Sequence, residues 1–208
     1  MRYNHTLKNN TDSKGHKIKK LSLVILIVVV IAAALSVGIS AKILNVNPSD
    51  SHTLDSALKG NAIDSLLVEK SERTLKVLAK DSTNGTIYVA KTYHIALGGN
   101  PQGHKMQEGD SKTPEGEYLI DSKNPQSRFY RNLGISYPNS ADLAQAKARG
   151  VSAGGDIKIH GLRNGLGFLG KLSYVAGDWS DGCIAVLNDE IKELYESVKV
   201  GTKIVIVP

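Results

Sequence analysis

The sequence predicts a mainly β domain with helices packed at its edges, preceded by one N-terminal transmembrane helix. Three observations carry this expectation. Short Leu-, Val- and Ile-rich runs broken by turn residues recur from Ile63 to Val207, which is the texture of strands. Only two stretches, near residues 140–150 and 188–201, carry helical signals. Ahead of them, Leu21 to Ser40 is apolar and uncharged, and twenty helical residues rise about 30 Å, the thickness of a bilayer core.

The N-terminal segments are read from charge. The chain has 208 residues and a net charge of +6, and residues 1–20 hold six basic side chains against Asp12 alone. The other 188 residues hold 20 basic and 19 acidic side chains, so the body is close to neutral. Basic residues on one flank of an apolar run place that flank in the cytoplasm. Residues 1–20 then form a cytoplasmic tail, residues 21–40 a signal anchor in the cytoplasmic membrane, and everything after Lys42 lies outside, in the periplasm or cell wall. A cleaved signal peptide ending near Ala32-Ala33-Ala34 or Ser36-Val37-Gly38 is the alternative. Both readings export the body, and that separation from the basic tail excludes a nucleic-acid partner.

Residues 41–62 are polar, with Pro48 and Gly60, and read as a stalk. Residues 63–208 form one domain. IDSLLVEK and TLKVLAK make a hairpin through Ser71-Glu72-Arg73, and TIYVAKTYHIAL, residues 86–97, is a third strand. Thr113-Pro114-Glu115-Gly116 suits a type I turn leading into the strand EYLIDS. Ser140 is placed to cap ADLAQAKAR, which stops at Gly150, and Asn188 to cap DEIKELYESVK. In the second of these, Ile191, Leu194, Tyr195 and Val198 form one apolar stripe. TKIVIV is the last strand.

One cysteine excludes an intramolecular disulfide framework and a Cys-rich zinc module. In an exported domain a lone thiol is either buried or used, which directs attention to Cys183. It follows Gly182 in SDGCIAV, while DIKIHG delivers His160 at the end of a strand. Six glycines between residues 161 and 183 suggest a lid or substrate loop. An imidazole beside a thiol can take its proton and stabilise the thiolate as an ion pair. The thiolate then attacks an amide carbonyl to give a thioester, and His160 returns the proton to the leaving amine. The backbone amides of Gly182 and Cys183 are candidates for an oxyanion site. Asp181 beside the thiol would oppose ionisation.

Gly109-Asp110 followed by Thr113-Pro114-Glu115-Gly116, then Ile159-His160-Gly161, then Ser180-Asp181-Gly182-Cys183-Ile184 resembles the YkuD-type L,D-transpeptidases of bacterial cell walls across residues 63–207. The resemblance implies a β-sandwich with small helices, Cys183 as acylated nucleophile and His160 as base. It also implies that the backbone carbonyl of Gly161 orients the imidazole and that Ser180 serves the motif by hydrogen bonding. The implied partners are peptidoglycan stem peptides and, as inhibitors, carbapenem β-lactams; no cofactor and no metal is implied. The pattern departs at one place: most members carry Arg two residues after the Cys, and this chain has Ala185. Arg163 is the candidate for the missing carboxylate contact, and Trp179 for a pocket wall. The variant motif resembles a sub-branch that includes hydrolases cutting protein–peptidoglycan links.

The expected function is a membrane-anchored cysteine acyltransferase carrying out L,D-transpeptidation on stem peptides in cell-wall remodelling. The alternative is an L,D-carboxypeptidase or amidase using water at the same Cys/His site. A peptidoglycan-binding module would not need both His160 and Cys183. A metal hydrolase built on His94, His104 and His160 lacks any metal-ligand spacing.

Overall fold

The computed structural model describes residues 52–208; the expected cytoplasmic tail, membrane anchor and most of the stalk lie outside these residues. No helix among the described residues is long and apolar enough to cross a membrane.

The first element, α1 (Leu54–Leu58), falls where the sequence suggests stalk. The Thr53 hydroxyl accepts from the Ser56 amide, and Leu54 and Leu58 are buried in the main core. Five residues are too few for a periodic signal or for stability in isolation, so this helix exists by packing against the strand Ile87–His94 and the helix Asn188–Ser197.

The strands follow as β1 (Ala62–Glu69), β2 (Thr74–Lys80), β3 (Ile87–His94), β4 (Gly116–Ser127), β5 (Tyr130–Ile135), β6 (Lys158–His160), β7 (Ile184–Ala185) and β8 (Lys203–Val207). The helices between them are α2 (Ser140–Ala148) and α3 (Asn188–Ser197), with a 3-10 stretch over Gly167–Ala176. The fold is mainly β with few helices, as the sequence predicts. Strand order is β3-β2-β1-β8-β4-β5-β6-β7. Among the described strands, β1/β8 and β6/β7 pair in parallel and the other pairs are antiparallel. Alternation turns Leu75, Val77 and Ala79 of β2 inward and leaves intervening positions half-exposed, the period a half-buried strand requires.

Strand β4 changes partner along its length. Gly116–Leu119 pairs with β8, and Ile120–Ser127 pairs with β5, so one long strand passes from one ladder to the next. The two ends of the series also meet. Just beyond β3, Ala96 exchanges hydrogen bonds of 2.9 and 2.8 Å with Ala185 of β7.

Three local expectations are corrected. Thr113–Glu115 forms no turn and leads directly into β4. The Thr113 carbonyl accepts from the ammonium of Lys70 at 3.0 Å, and Gly116 pairs with Ile206 in the ladder. Lys70 is only 2% exposed, and its other contacts are the Gly103 carbonyl and Glu115. Helix α2 is capped by Asn139, reciprocally with Asp142, one residue before Ser140. Asn188 does not cap α3. There Glu190 accepts from the Leu187 amide at 2.8 Å, which frees the Asn188 side chain to accept from Leu162 at 2.9 Å.

Candidate active site

Strands β6 and β7 pair with Ile159 opposite Ile184 and His160 opposite Ala185. Residues level in a parallel pair share a face, as do residues two apart along one strand. Cys183, two before Ala185, therefore stands on the face that carries His160. Both line a cleft of about 830 Å³.

The imidazole is held by its own neighbour. His160 Nδ1 lies 2.7 Å from the Gly161 carbonyl oxygen. A carbonyl only accepts, so Nδ1 carries the proton and Nε2 presents a lone pair. A side chain at position 161 would crowd its neighbours, because a Cβ would lie 2.7 Å from Asn188 Oδ1, 3.0 Å from Ile191 Cγ2 and 3.1 Å from the Phe129 carbonyl oxygen. The ring packs against Phe129 at 4.4 Å between centroids and against Trp179 at 5.8 Å. Sequence reasoning found Trp179 and missed Phe129, which sits in the β4–β5 connection with no local signal of function. The Phe129 carbonyl also accepts from the Gly161 amide at 3.1 Å.

The turn before Cys183 is a closed hydrogen-bonded unit. The Ser180 hydroxyl donates to the Cys183 carbonyl at 2.6 Å and accepts from the Gly182 amide at 3.1 Å. That amide, expected as an oxyanion donor, is thus occupied within the turn. Gly182 has φ +128°, and a Cβ there would lie 2.5 Å from the Lys112 carbonyl, so the turn admits no side chain at this position. Asp178 anchors the preceding segment. Its carboxylate accepts from the Arg73 guanidinium at 2.7 Å and from the Leu97 amide at 2.8 Å.

Electrostatically, burial works against charge on both groups. Burial pushes the Cys183 thiol up; the Lys158 amide and ammonium pull it down, and Asp156 and Asp181 push it up again. Burial pulls His160 down, partly offset by its bond to Gly161, and Lys158 lowers it further. The thiol donates to the Asp156 carbonyl at 3.7 Å. Desolvation is the largest influence on both groups.

The glycine-rich stretch forms one wall, contributing Leu166, Leu169, Ser173 and Ala176 to the cleft. It kinks at Gly170 (φ 46°) and is fastened by Tyr174, whose hydroxyl lies 2.7 Å from the His94 carbonyl and 3.0 Å from Glu190. Arg163 is exposed at the rim and lines the cleft. Ala185 is buried in its bridge with Ala96. Among the described residues no group of three His, Cys, Asp or Glu side chains is arranged to hold a metal. His104 instead accepts from the Glu115 amide through Nδ1 and pairs with Asp142.

The sequence profile of the YkuD family, the L,D-transpeptidase catalytic domain, matches residues 64–206. The chain belongs to this family. The YkuD domain is 31% identical over 133 residues to YafK of Escherichia coli, covering 62% of this chain and 44% of that protein. It is 28% identical over 142 residues to YqjB of Bacillus subtilis, covering 68% of this chain and 69% of that one. Both relatives are named as L,D-transpeptidases. Among solved structures it is similar to the helical cell shape determining protein Pgp2 of Campylobacter jejuni, with TM-score 0.51 and 25% identity over 74% of this chain and 54% of that one. The chain therefore spans about half the length of YafK and Pgp2.

Proposed function

We propose that this YkuD domain is a cysteine acyltransferase that carries out L,D-transpeptidation on peptidoglycan stem peptides in cell-wall remodelling, working outside a membrane to which residues 21–40 anchor it. The observation that carries this reading is the His160–Gly161 bond, which leaves Nε2 as an unprotonated base in the cleft that also holds Cys183.

In the proposed cycle, Cys183 Sγ attacks the carbonyl of the third stem residue while its proton passes to His160 Nε2. The amide C–N bond breaks, the terminal D-amino acid leaves with the proton returned by His160, and a thioester remains. An acceptor amine then attacks the thioester, His160 takes its proton, and the new amide releases the thiol. With the Gly182 amide tied to Ser180, the Cys183 amide is the oxyanion donor in this scheme. Arg163 at the rim and the Trp179–Phe129 wall bound the substrate.

Water in place of the amine turns the same acyl-enzyme into a carboxypeptidase or amidase. Ala185 favours keeping this second reading, since substrate contact differs where Arg is missing. Incubation of purified muropeptides with the enzyme, read by mass, tests both. Cross-linked dimers indicate transfer and shortened monomers indicate hydrolysis. No change in any muropeptide sinks both.

A further inference from the structure

One step back from Ile159 and Ile184 along β6 and β7, Lys158 stands level with Cys183. It is also two residues before His160 on the same strand, so both share a face, and all three line the cleft. The Lys158 ammonium is paired with the Asp156 carboxylate. Asp156 is the residue whose backbone carbonyl accepts from the Cys183 thiol. The Asp156 side chain is 86% exposed, and an ion pair with so wet a partner is worth little and is readily exchanged. The Arg that most family members place two residues after the Cys is absent, its position filled by the buried Ala185.

We propose that Lys158 is the carboxylate anchor of the cleft, exchanging Asp156 for the free α-carboxylate of the residue that is expelled. This rests on the acyl-transfer reading given above. In a peptide that ends one residue past the scissile bond, the α-carboxylate hangs from the carbon bonded to the leaving nitrogen. With the scissile carbonyl over Sγ, that carboxylate falls within a few ångströms of the nucleophile. Lys158 is the cation level with Cys183. Arg163 also lines the cleft but is exposed at its rim, next to Asn164, whose amide donates to the Arg128 carbonyl at 2.9 Å.

Charge adds a second reason for a cation here. Asp156 and Asp181 both act against negative charge at Cys183, and the Lys158 ammonium acts for it. An anionic substrate end approaching this thiol meets two carboxylates, and Lys158 is the group that offsets them. Asp156, once displaced, remains in water.

The test is alkylation of Cys183 by iodoacetamide in the full chain across a pH series. It is run alone, with a synthetic stem tetrapeptide ending in D-alanine, and with the C-terminal carboxamide of that peptide. Wild type and Lys158→Arg are expected to be protected by the acid at concentrations about tenfold lower than by the carboxamide, the worth of a charge-assisted hydrogen bond. Lys158→Met is expected to lose that preference and to alkylate with its pH profile moved upward. Retention of the preference in Lys158→Met, or equal protection by both peptides in wild type, overturns the anchor. Protection with the expected preference but no turnover of the peptide counts against acyl transfer alone. Protection by neither peptide overturns both readings.

Discussion

The Ser180 hydroxyl donates to the carbonyl oxygen of Cys183 at 2.6 Å. Removing it leaves the buried Gly182 amide without an acceptor, since the same oxygen receives that N–H. Ser180→Ala is expected to cost about 1–3 kcal/mol of stability. It should also lower kcat/KM more than KM alone explains, because the turn that aims the thiol loosens. Urea unfolding and steady-state kinetics on one preparation check both, and unchanged kinetics would show that the turn holds without Ser180.

Gly182→Ala meets two penalties, a positive φ and a Cβ driven against the Lys112 carbonyl. Strain at such a position costs on the order of 1–3 kcal/mol, and the clash adds to it. The expected outcome is a lowered urea midpoint and loss of Cys183 labelling by an active-site acylating agent.

Asp178 joins Arg73 to the Leu97 amide and so fixes the chain just before Trp179. Asp178→Ala strips a half-buried guanidinium of its partner and is expected to destabilise the fold by about 1–3 kcal/mol. Arg73→Ala made in the same background should add little further. Additive losses in that double-mutant cycle would disprove the coupling.

The opposed shifts of Cys183 and His160 give a pH window. The His160 value in the fold lies below its ordinary 6.5, so its contribution to stability is full above 6.5 and is lost as pH falls through the lowered value. The Cys183 value lies above its ordinary 9.0, so its contribution is full below 9.0 and is lost as pH rises through the raised value. Urea midpoints of His160→Gln should therefore fall less steeply on the acid side than wild type, and those of Cys183→Ala less steeply on the alkaline side. Parallel curves would show that neither group titrates as its burial dictates.

A carbapenem is expected to acylate the domain once, raising the intact mass by a single adduct. The adduct should be absent from Cys183→Ala. Its persistence there would move the reactive group elsewhere.

Much of this was legible in the chain. The alternating runs around Leu66, Val77 and Ile204 announced their strands, and the His-Gly and Ser-x-Gly-Cys elements pointed to two residues, His160 and Cys183, that line one cleft. Where the reading failed, tertiary contacts overrode local preference. Thr113-Pro114-Glu115-Gly116 has turn chemistry, yet a lysine 43 residues upstream takes the Thr113 carbonyl. Asn188 is a good cap by type but serves Leu162 across the fold. Helix α1 is too short to leave a period, and Phe129 and Lys158 gain meaning only from the register of strands that sequence does not reveal. The directions in which Cys183 and His160 shift are equally hidden from sequence, since burial is a property of the folded cleft.

The position of β8 bears on how the domain comes into being. It is the last of the described strands to be synthesised, yet it lies between β1 and β4, pairing Leu66 with Ile204 on one side and Tyr118 with Ile204 on the other. A nascent chain lacking Lys203–Val207 would hold two half-sheets with a gap between them. Closing that gap joins residues about 140 positions apart, a loop-closure step that slows folding. Until it is closed, the paired flanks of β1 and β4 are open edges that other chains can occupy. Substitutions within Lys203–Val207 should therefore show themselves first as aggregation during production and only second as lost activity.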